Sequence, residues 1–194
     1  MQEIRNQFEL FINGTISDSE WSHFSERLVR EEFLKGEMVL ENGDIENHLS
    51  FIESGVVRFY FPDEENDMTF AFAVANSFAS AYDSFLTRNP SSYSIQALAS
   101  TALWRIDYED LQKVYELSNV GNKIGRLAAE DLYLKKFLRE LSFMNDSATE
   151  RYLALLKTQP ELIQMVPLKY LASYIGVTPQ ALSRIRRRVV KVQK

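Results

Sequence analysis

The chain has 194 residues, 45% hydrophobic and 25% charged, with a formal net charge of −5. This is ordinary globular composition and excludes wholesale disorder or low-complexity character. Because there is no cysteine, disulfides, thiolate zinc sites, cysteine-ligated iron–sulfur clusters and cysteine nucleophiles are excluded as well.

In chain order, Met1-Gln2-Glu3-Ile4-Arg5 lacks the basic start and apolar run of a secretory signal. No stretch approaches the ~18 consecutive apolar residues of a membrane span. The expected location is therefore the cytoplasm. Ser17-Asp18-Ser19-Glu20 predicts a capped helix running to Val29. From Phe33 to Ile106 the chain reads as short strands, Met38–Leu40, Leu49–Ile52, Val56–Phe61, Thr69–Val74 and Leu103–Ile106. Between them stand turn signals such as Glu41-Asn42-Gly43-Asp44 and Glu53-Ser54-Gly55. That rhythm predicts an antiparallel sandwich or jelly roll, since no crossover helix fits between the strands. A short helix is predicted over Tyr108–Leu117 and a long one, about 33 Å at 1.5 Å per residue, over Val120–Leu141.

On the long helix Ile124, Leu127, Leu134, Leu138 and Leu141 follow alternating three- and four-residue steps, with Asp131 at the remaining position. This spacing suits a coiled-coil seam in a homodimer, although a helix lying on its own domain fits it equally well. Gly121-x-x-x-Gly125 reads as a loosened helix start rather than a packing motif. Ser147-Ala148-Thr149-Glu150 is a capping box opening a helix that stops before Pro160. The domain boundary is expected at Phe143–Ser147.

The charge is unevenly distributed. From Ser147 to Lys194 there are nine Lys or Arg and only Glu150 and Glu161, a net +7, which leaves −12 for residues 1–146. An acidic body joined to a basic, polyanion-binding module accounts for this; so does a basic tail without a partner. The last thirty residues separate the two. Counting from Leu168 as one, apolar residues fall at four (Leu171), eight (Ile175), ten (Val177), fifteen (Leu182) and eighteen (Ile185), with Ala172 at five and Gly176 at nine. This is the pattern of a helix-turn-helix: a small residue where the helices approach, a glycine for the positive φ of the sharp turn, and an apolar wedge between. Thr178 is placed to cap the second helix with Pro179 in its first turn. Gln180, Ser183, Arg184, Arg187 and Arg188 then face outward, side chains suited to base edges and phosphates.

With these residues in view the chain resembles the CRP/FNR superfamily of bacterial transcription regulators. Phe33–Asp44 and Leu49–Arg58 look like the first two hairpins of a cyclic-nucleotide-binding-type jelly roll. Val120–Leu141 looks like the dimerisation helix, and Lys169–Arg188 like the winged helix-turn-helix. The resemblance implies an α+β chain with a sensor domain at 1–119, a dimerisation helix and hinge at 120–145 and a DNA-binding domain at 146–194. It implies base reading by Gln180 and Arg184, and phosphate contacts near Lys169, Thr178 and Arg187. It also implies an inverted-repeat DNA operator and RNA polymerase as a partner. Pro179 stands where many members carry a base-reading Arg.

The nucleotide site departs from the family pattern. Where a Gly-Glu pair and a later phosphate-binding Arg are expected, the chain reads Phe78-Ala79-Ser80-Ala81-Tyr82 and Ser91-Ser92-Tyr93-Ser94-Ile95. Arg88 lies in the connecting loop, and Val120–Leu141 has no Ser or Thr. A pocket without a cation leaves an anionic ligand uncompensated. Cyclic AMP is therefore not expected in the usual mode, and an apolar or uncharged effector is left open. No cofactor and no metal are expected: His23 and His48 are the only histidines, too few for a cupin-type metal site, and Asp63-x-Glu65-x-Asp67 lacks the Gly and the final Glu of a calcium loop. The competing readings are a protein-interaction module using its basic end for protein contacts, and a jelly-roll enzyme; neither has an identifiable active site.

Overall fold

The computed structural model describes residues 1–192. The chain begins with two helices, α1 (Gln2–Ile12) and α2 (Asp18–Ser25). Strands β1 (Val29–Phe33), β2 (Met38–Leu40), β3 (His48–Ser54), β4 (Val56–Phe61), β5 (Met68–Val74) and β6 (Phe78–Ala79) follow. Next come α3 (Tyr82–Thr87), β7 (Ser94–Ala97), β8 (Thr101–Asp107), α4 (Tyr108–Leu117) and the long α5 (Asn119–Asn145). The last part holds α6 (Ala148–Thr158), α7 (Pro160–Met165), α8 (Leu168–Ile175) and α9 (Pro179–Val192).

The strands form two antiparallel four-stranded sheets, ordered β1-β8-β3-β6 and β2-β7-β4-β5. Their facing sides alternate inward and bury Ile52, Val57, Ile95 and Leu103 almost completely, the arrangement expected of a two-sheet roll. A second core lies on the other side of the β3–β8 sheet. There α1, α2, α4 and α5 bring Ile4, Phe8, Trp21, Leu111 and Ile124 onto Phe51 and Ile106. Phe8 anchors it, with edge contacts to Trp21, Phe24 and Phe51 at 5.9, 5.6 and 5.4 Å between ring centroids. A third core wraps Tyr152, Leu155, Leu162, Leu171, Ala172, Ile175 and Leu182 around the C-terminal helices and takes in Val56 and Leu98 from the roll.

Several expectations are corrected. The Ser17 cap is real, its hydroxyl accepting from the Glu20 amide at 3.3 Å, but α2 stops at Ser25 and Val29 opens β1. This strand, Val29-Arg30-Glu31-Glu32-Phe33, has too many charges to read as a strand. It is an edge strand, where Arg30 pairs with Glu53 (2.7 Å) and Glu31 with Arg105 (2.6 Å). The brief strands β6 and β7 escape pattern reading for want of length. Gly121-x-x-x-Gly125 is a packing motif after all. A Cβ at Gly121 would stand 2.7 Å from Val114 Cγ1, and one at Gly125 2.5 Å from the Tyr115 hydroxyl, so both glycines let α5 press against α4. The helix itself is longer than expected, starting from the Ser118 cap (Gly121 amide to Ser118 Oγ, 2.8 Å) and ending at Asn145. Asp146 and Ser147 are then the whole connection to α6, and the Ser147–Glu150 capping box is formed in both directions. Residues 148–192 contain helices and no strand, so a helix-turn-helix is present, with no wing hairpin among the described residues. Gln193 and Lys194, within the expected DNA-binding domain, lie outside them. No helix among them is long and apolar enough to cross a membrane.

Candidate functional site

Helix α8 ends on Gly176 at φ 80°, ψ 40°, the left-handed position that favours glycine. Its missing side chain has a second use: a Cβ there would meet Phe143 Cε1 at 2.7 Å, so α5 packs directly against the turn. Thr178 caps α9, its Oγ1 accepting from the Ala181 amide at 3.2 Å. Leu171, Ala172, Ile175 and Leu182 are 0–1% exposed and Ile185 is 9% exposed, while Val177 is half-buried. The wedge predicted from spacing is thus assembled as expected. On the opposite side of α9, Gln180, Arg184, Arg187 and Arg188 are exposed, with Ser183 partly so. Arg187 leans back on its own helix, Nε donating to the Ser183 carbonyl at 3.4 Å. Exposed Thr178 flanks this face, as does exposed Lys169 on α8, its Nζ lying 4.7 Å from the Tyr170 ring centre. Among the described residues none of these cations is held by a carboxylate within 4 Å, leaving the face uncompensated and positive.

The helix-turn-helix is seated on the roll. Ser173 Oγ accepts from the Thr69 amide at 2.8 Å and donates to the Thr69 carbonyl at 3.4 Å, joining α8 to β5. Buried Arg58 on β4 bonds Gln96 (2.9 Å) and Asp67 (2.7 Å), and its guanidinium lies 3.7 Å from the Tyr60 ring centre and 3.9 Å from that of Tyr170 on α8.

The residues expected at a dimer seam fall into two groups. Ile124 is 4% exposed and belongs to the helical core, and Leu127 packs against the same core. Ile124 is therefore corrected, since it is enclosed by its own chain, whereas Leu127 is only partly covered there. Leu134, Leu138 and Leu141 are exposed at 55%, 61% and 36%, joined by Tyr133, Phe137 and Met144. Asp131 pairs with Lys135 at 2.7 Å along the helix.

In the roll, the Ser80, Ser91 and Ser94 hydroxyls, and Arg88 in the loop between Ser80 and Ser91, are already engaged within the domain. Arg88 donates to the Glu46 carbonyl (2.8 Å) and to Asn47 Oδ1, and lies over Tyr108 at 4.6 Å. The Ser80 hydroxyl donates to the His48 carbonyl (2.9 Å), and Ser91 to that of Tyr93 (2.8 Å). Ser94 Oγ accepts from the Asn42 amide (2.9 Å). The Ala81 amide donates to the buried carboxylate of Glu46 at 3.3 Å, a group whose pKa is raised by burial. Phe59, Phe61, Phe70 and Tyr93 fill the adjoining space with ring centroids 5.0–6.4 Å apart.

A cleft of about 1160 Å³ runs from these aromatics along α5 to the helix-turn-helix. The missing cation was expected at the Phe78–Tyr82 and Ser91–Ile95 stretches, and this cleft draws its cations from other elements. Lys135, Lys136 and Arg139 of α5 and Arg151 of α6 line it. Nothing in the sequence marks them out, because ordinary surface helices carry such Lys-Lys-x-x-Arg runs. Among the described residues no group of three His, Cys, Asp or Glu could hold a metal ion.

Residues 30–118 match the family described as Cyclic nucleotide-binding domain. No curated protein matches the chain by sequence. Among solved structures it is similar to FixK2 from Bradyrhizobium japonicum (TM-score 0.71, 16% identity, covering 86% of each chain). It is also similar to the c-di-GMP responsive global regulator CLP of Xanthomonas campestris (0.70, 18%, 91% of this chain and 93% of that one). A third is a putative transcriptional regulator of the crp/fnr family from Eubacterium rectale (0.69, 17%, 94% and 87%). Residues 30–118 thus match a cyclic nucleotide-binding domain, and the chain shares the fold of these regulators over nearly its whole length.

Proposed function

We propose that the protein is a homodimeric, sequence-specific DNA-binding transcription regulator, with residues 1–119 as sensor, 120–145 as dimerisation helix and hinge, and 146–194 as DNA-binding domain. The observation that carries this reading is the open, uncompensated face of α9, with Gln180, Arg184, Arg187 and Arg188 exposed opposite a buried wedge. A helix of this kind enters the major groove with its N-terminal residues at base edges. Gln180 and Arg184 read bases, Ser183 and Arg188 border them, and Lys169, Thr178 and Arg187 hold phosphates. The exposed stripe Leu134, Leu138 and Leu141 pairs with its copy across a two-fold axis, so the operator is an inverted repeat with half-sites about 34 Å apart. RNA polymerase is the expected downstream partner. A regulator, and not an enzyme, is supported by structural neighbours that are themselves transcription regulators.

Cyclic nucleotides are not bound in the usual mode, because the hydroxyls and Arg88 at that place already satisfy backbone groups of the roll. A calorimetric titration with cyclic AMP and cyclic GMP is expected to show no binding at physiological concentrations.

The test of DNA reading is selection of bound fragments from genomic DNA, followed by two variants on the recovered operator. Arg184→Ala is expected to cost about 1–3 kcal/mol per half-site on operator DNA and to relax specificity there. Arg187→Ala is expected to weaken binding to operator and random DNA alike and to make the salt dependence shallower by about one phosphate per subunit. Equal losses by both variants on operator and random DNA would overturn the base-reading assignment. No effect from either would overturn the DNA-binding reading.

A further inference from the structure

The N-terminal tip of α9 carries an exposed side chain that has neither a base nor a phosphate to contact. Pro179 is the first residue of the helix and is exposed between exposed Thr178 and Gln180. A proline there takes nothing from the helix, because the first amides have no partner within it. The consequence falls on recognition. The pyrrolidine ring has no polar side-chain atom, and its nitrogen has no hydrogen to offer a phosphate or a base edge. The neighbouring Thr178 Oγ1 is turned to the Ala181 amide at 3.2 Å. Contact through carbon, by the proline ring, is what this position can make.

The tip is held in place from behind. Leu182 and Ile185, 0% and 9% exposed, anchor the opposite side of α9. The turn before it lies directly on Phe143 at Gly176, and Ser173 ties α8 to the Thr69 backbone of β5. At about 100° per residue, Gln180 and Arg184 occupy the middle of the exposed face. Pro179 and Ser183 form one flank and Arg188 the other, with Pro179 at the end that enters the groove. The first turn of α9 holds no acidic residue, so nothing there repels the DNA backbone.

In the major groove the base edges present one apolar group, the C5-methyl of thymine. A donor or acceptor on any other edge loses its water against a proline ring and gains no hydrogen bond in return. The thymine methyl loses no hydrogen bond and is covered by apolar surface. On the reading of α9 as the groove-binding helix, we infer that Pro179 recognises a thymine by its 5-methyl group, at the base pair next to the one under Gln180. Each half-site of the operator then carries a T·A pair at that place. Pro179 thus adds an apolar contact to the hydrogen bonds of Gln180 and Arg184, and selects a base that neither of them specifies.

The test uses the full-length protein and the operator duplex recovered from genomic DNA. Each thymine of the half-site is replaced in turn by deoxyuridine, which removes the methyl and keeps the base pairing. At one thymine the wild type is expected to lose about fourfold in affinity per half-site, the worth of one buried methyl-sized group, and about fifteenfold when both half-sites are changed. Pro179→Ser is expected to bind the thymine and deoxyuridine operators alike. Its affinity for random DNA is expected to match the wild type, with thermal unfolding within about 5 °C. Thr178→Ser keeps the capping hydroxyl and removes the adjacent methyl, and is expected to retain the deoxyuridine penalty. Operator binding indifferent to every thymine methyl overturns the proposal and leaves the regulator reading standing. So does a penalty that persists in Pro179→Ser or disappears in Thr178→Ser. A wild type that binds no DNA removes both.

Discussion

The two halves of α5 have the same apolar spacing and opposite surroundings. Over its first two turns Gly121 and Ile124 are buried against α4 and the aromatic core, with Gly125 close on Tyr115. Beyond Asp131 the same three- and four-residue steps bring Leu134, Leu138 and Leu141 to the surface, beside exposed Tyr133, Phe137 and Met144. A run of exposed large apolar side chains on one stripe is unusual for a monomer and marks an interaction surface. Periodicity thus tells which side of a helix is apolar, and the neighbours decide what covers it.

This contrast is sharpest where charge is introduced. Ile124→Asp places an unpaired carboxylate in the helical core and is expected to destabilise the fold by about 4 kcal/mol or more, read as loss of the cooperative urea transition or a steep drop in its midpoint. Leu134→Lys with Leu138→Lys leaves the folded chain intact, since both sites are open. It would bury ions in a dimer seam at several kcal/mol, so sedimentation should show a monomer at about 10 μM where the wild type is dimeric. A monomeric wild type at that concentration removes the dimer assignment. Gly121→Ala tests the close approach of α4: the added methyl meets Val114 Cγ1 at 2.7 Å and the Val114 carbonyl at 3.0 Å. A loss of about 1–3 kcal/mol in thermal or urea unfolding is expected. Thr178→Ala is the mildest change. Without the bond to the Ala181 amide, about 1 kcal/mol is lost from α9, seen as faster hydrogen exchange in its first turn and weaker DNA binding with little change in overall stability.

What could be read without the fold depends on how local its cause is. The helix-turn-helix was legible in detail, from the Gly176 turn and Thr178 cap to the buried Leu171, Ile175, Leu182 and Ile185, because each feature arises within a few residues of itself. The strand rhythm of the roll was legible for the same reason, with β4 bounded at Val56 and Phe61. The edge strand β1 was not, since its charges are tolerated only by pairing with Glu53 and Arg105 from distant strands.

By itself, the sequence determined the two-sheet roll, the helix-turn-helix, the lack of the usual nucleotide-binding residues and the positive face of α9. Those properties come from alternation, helical period, turn chemistry and residue identity, all of short range. Tertiary structure alone decided that Ile124 is core while Leu134 is surface, and that Gly121 and Gly125 serve helix packing. It also decided that Arg88 is tied to the Glu46 carbonyl and that Lys136, Arg139 and Arg151 share one cleft. These outcomes depend on which distant segment lies opposite each side chain. Burial, charge compensation and close approach are properties of pairs of surfaces, and a single segment's pattern contains only one of the two.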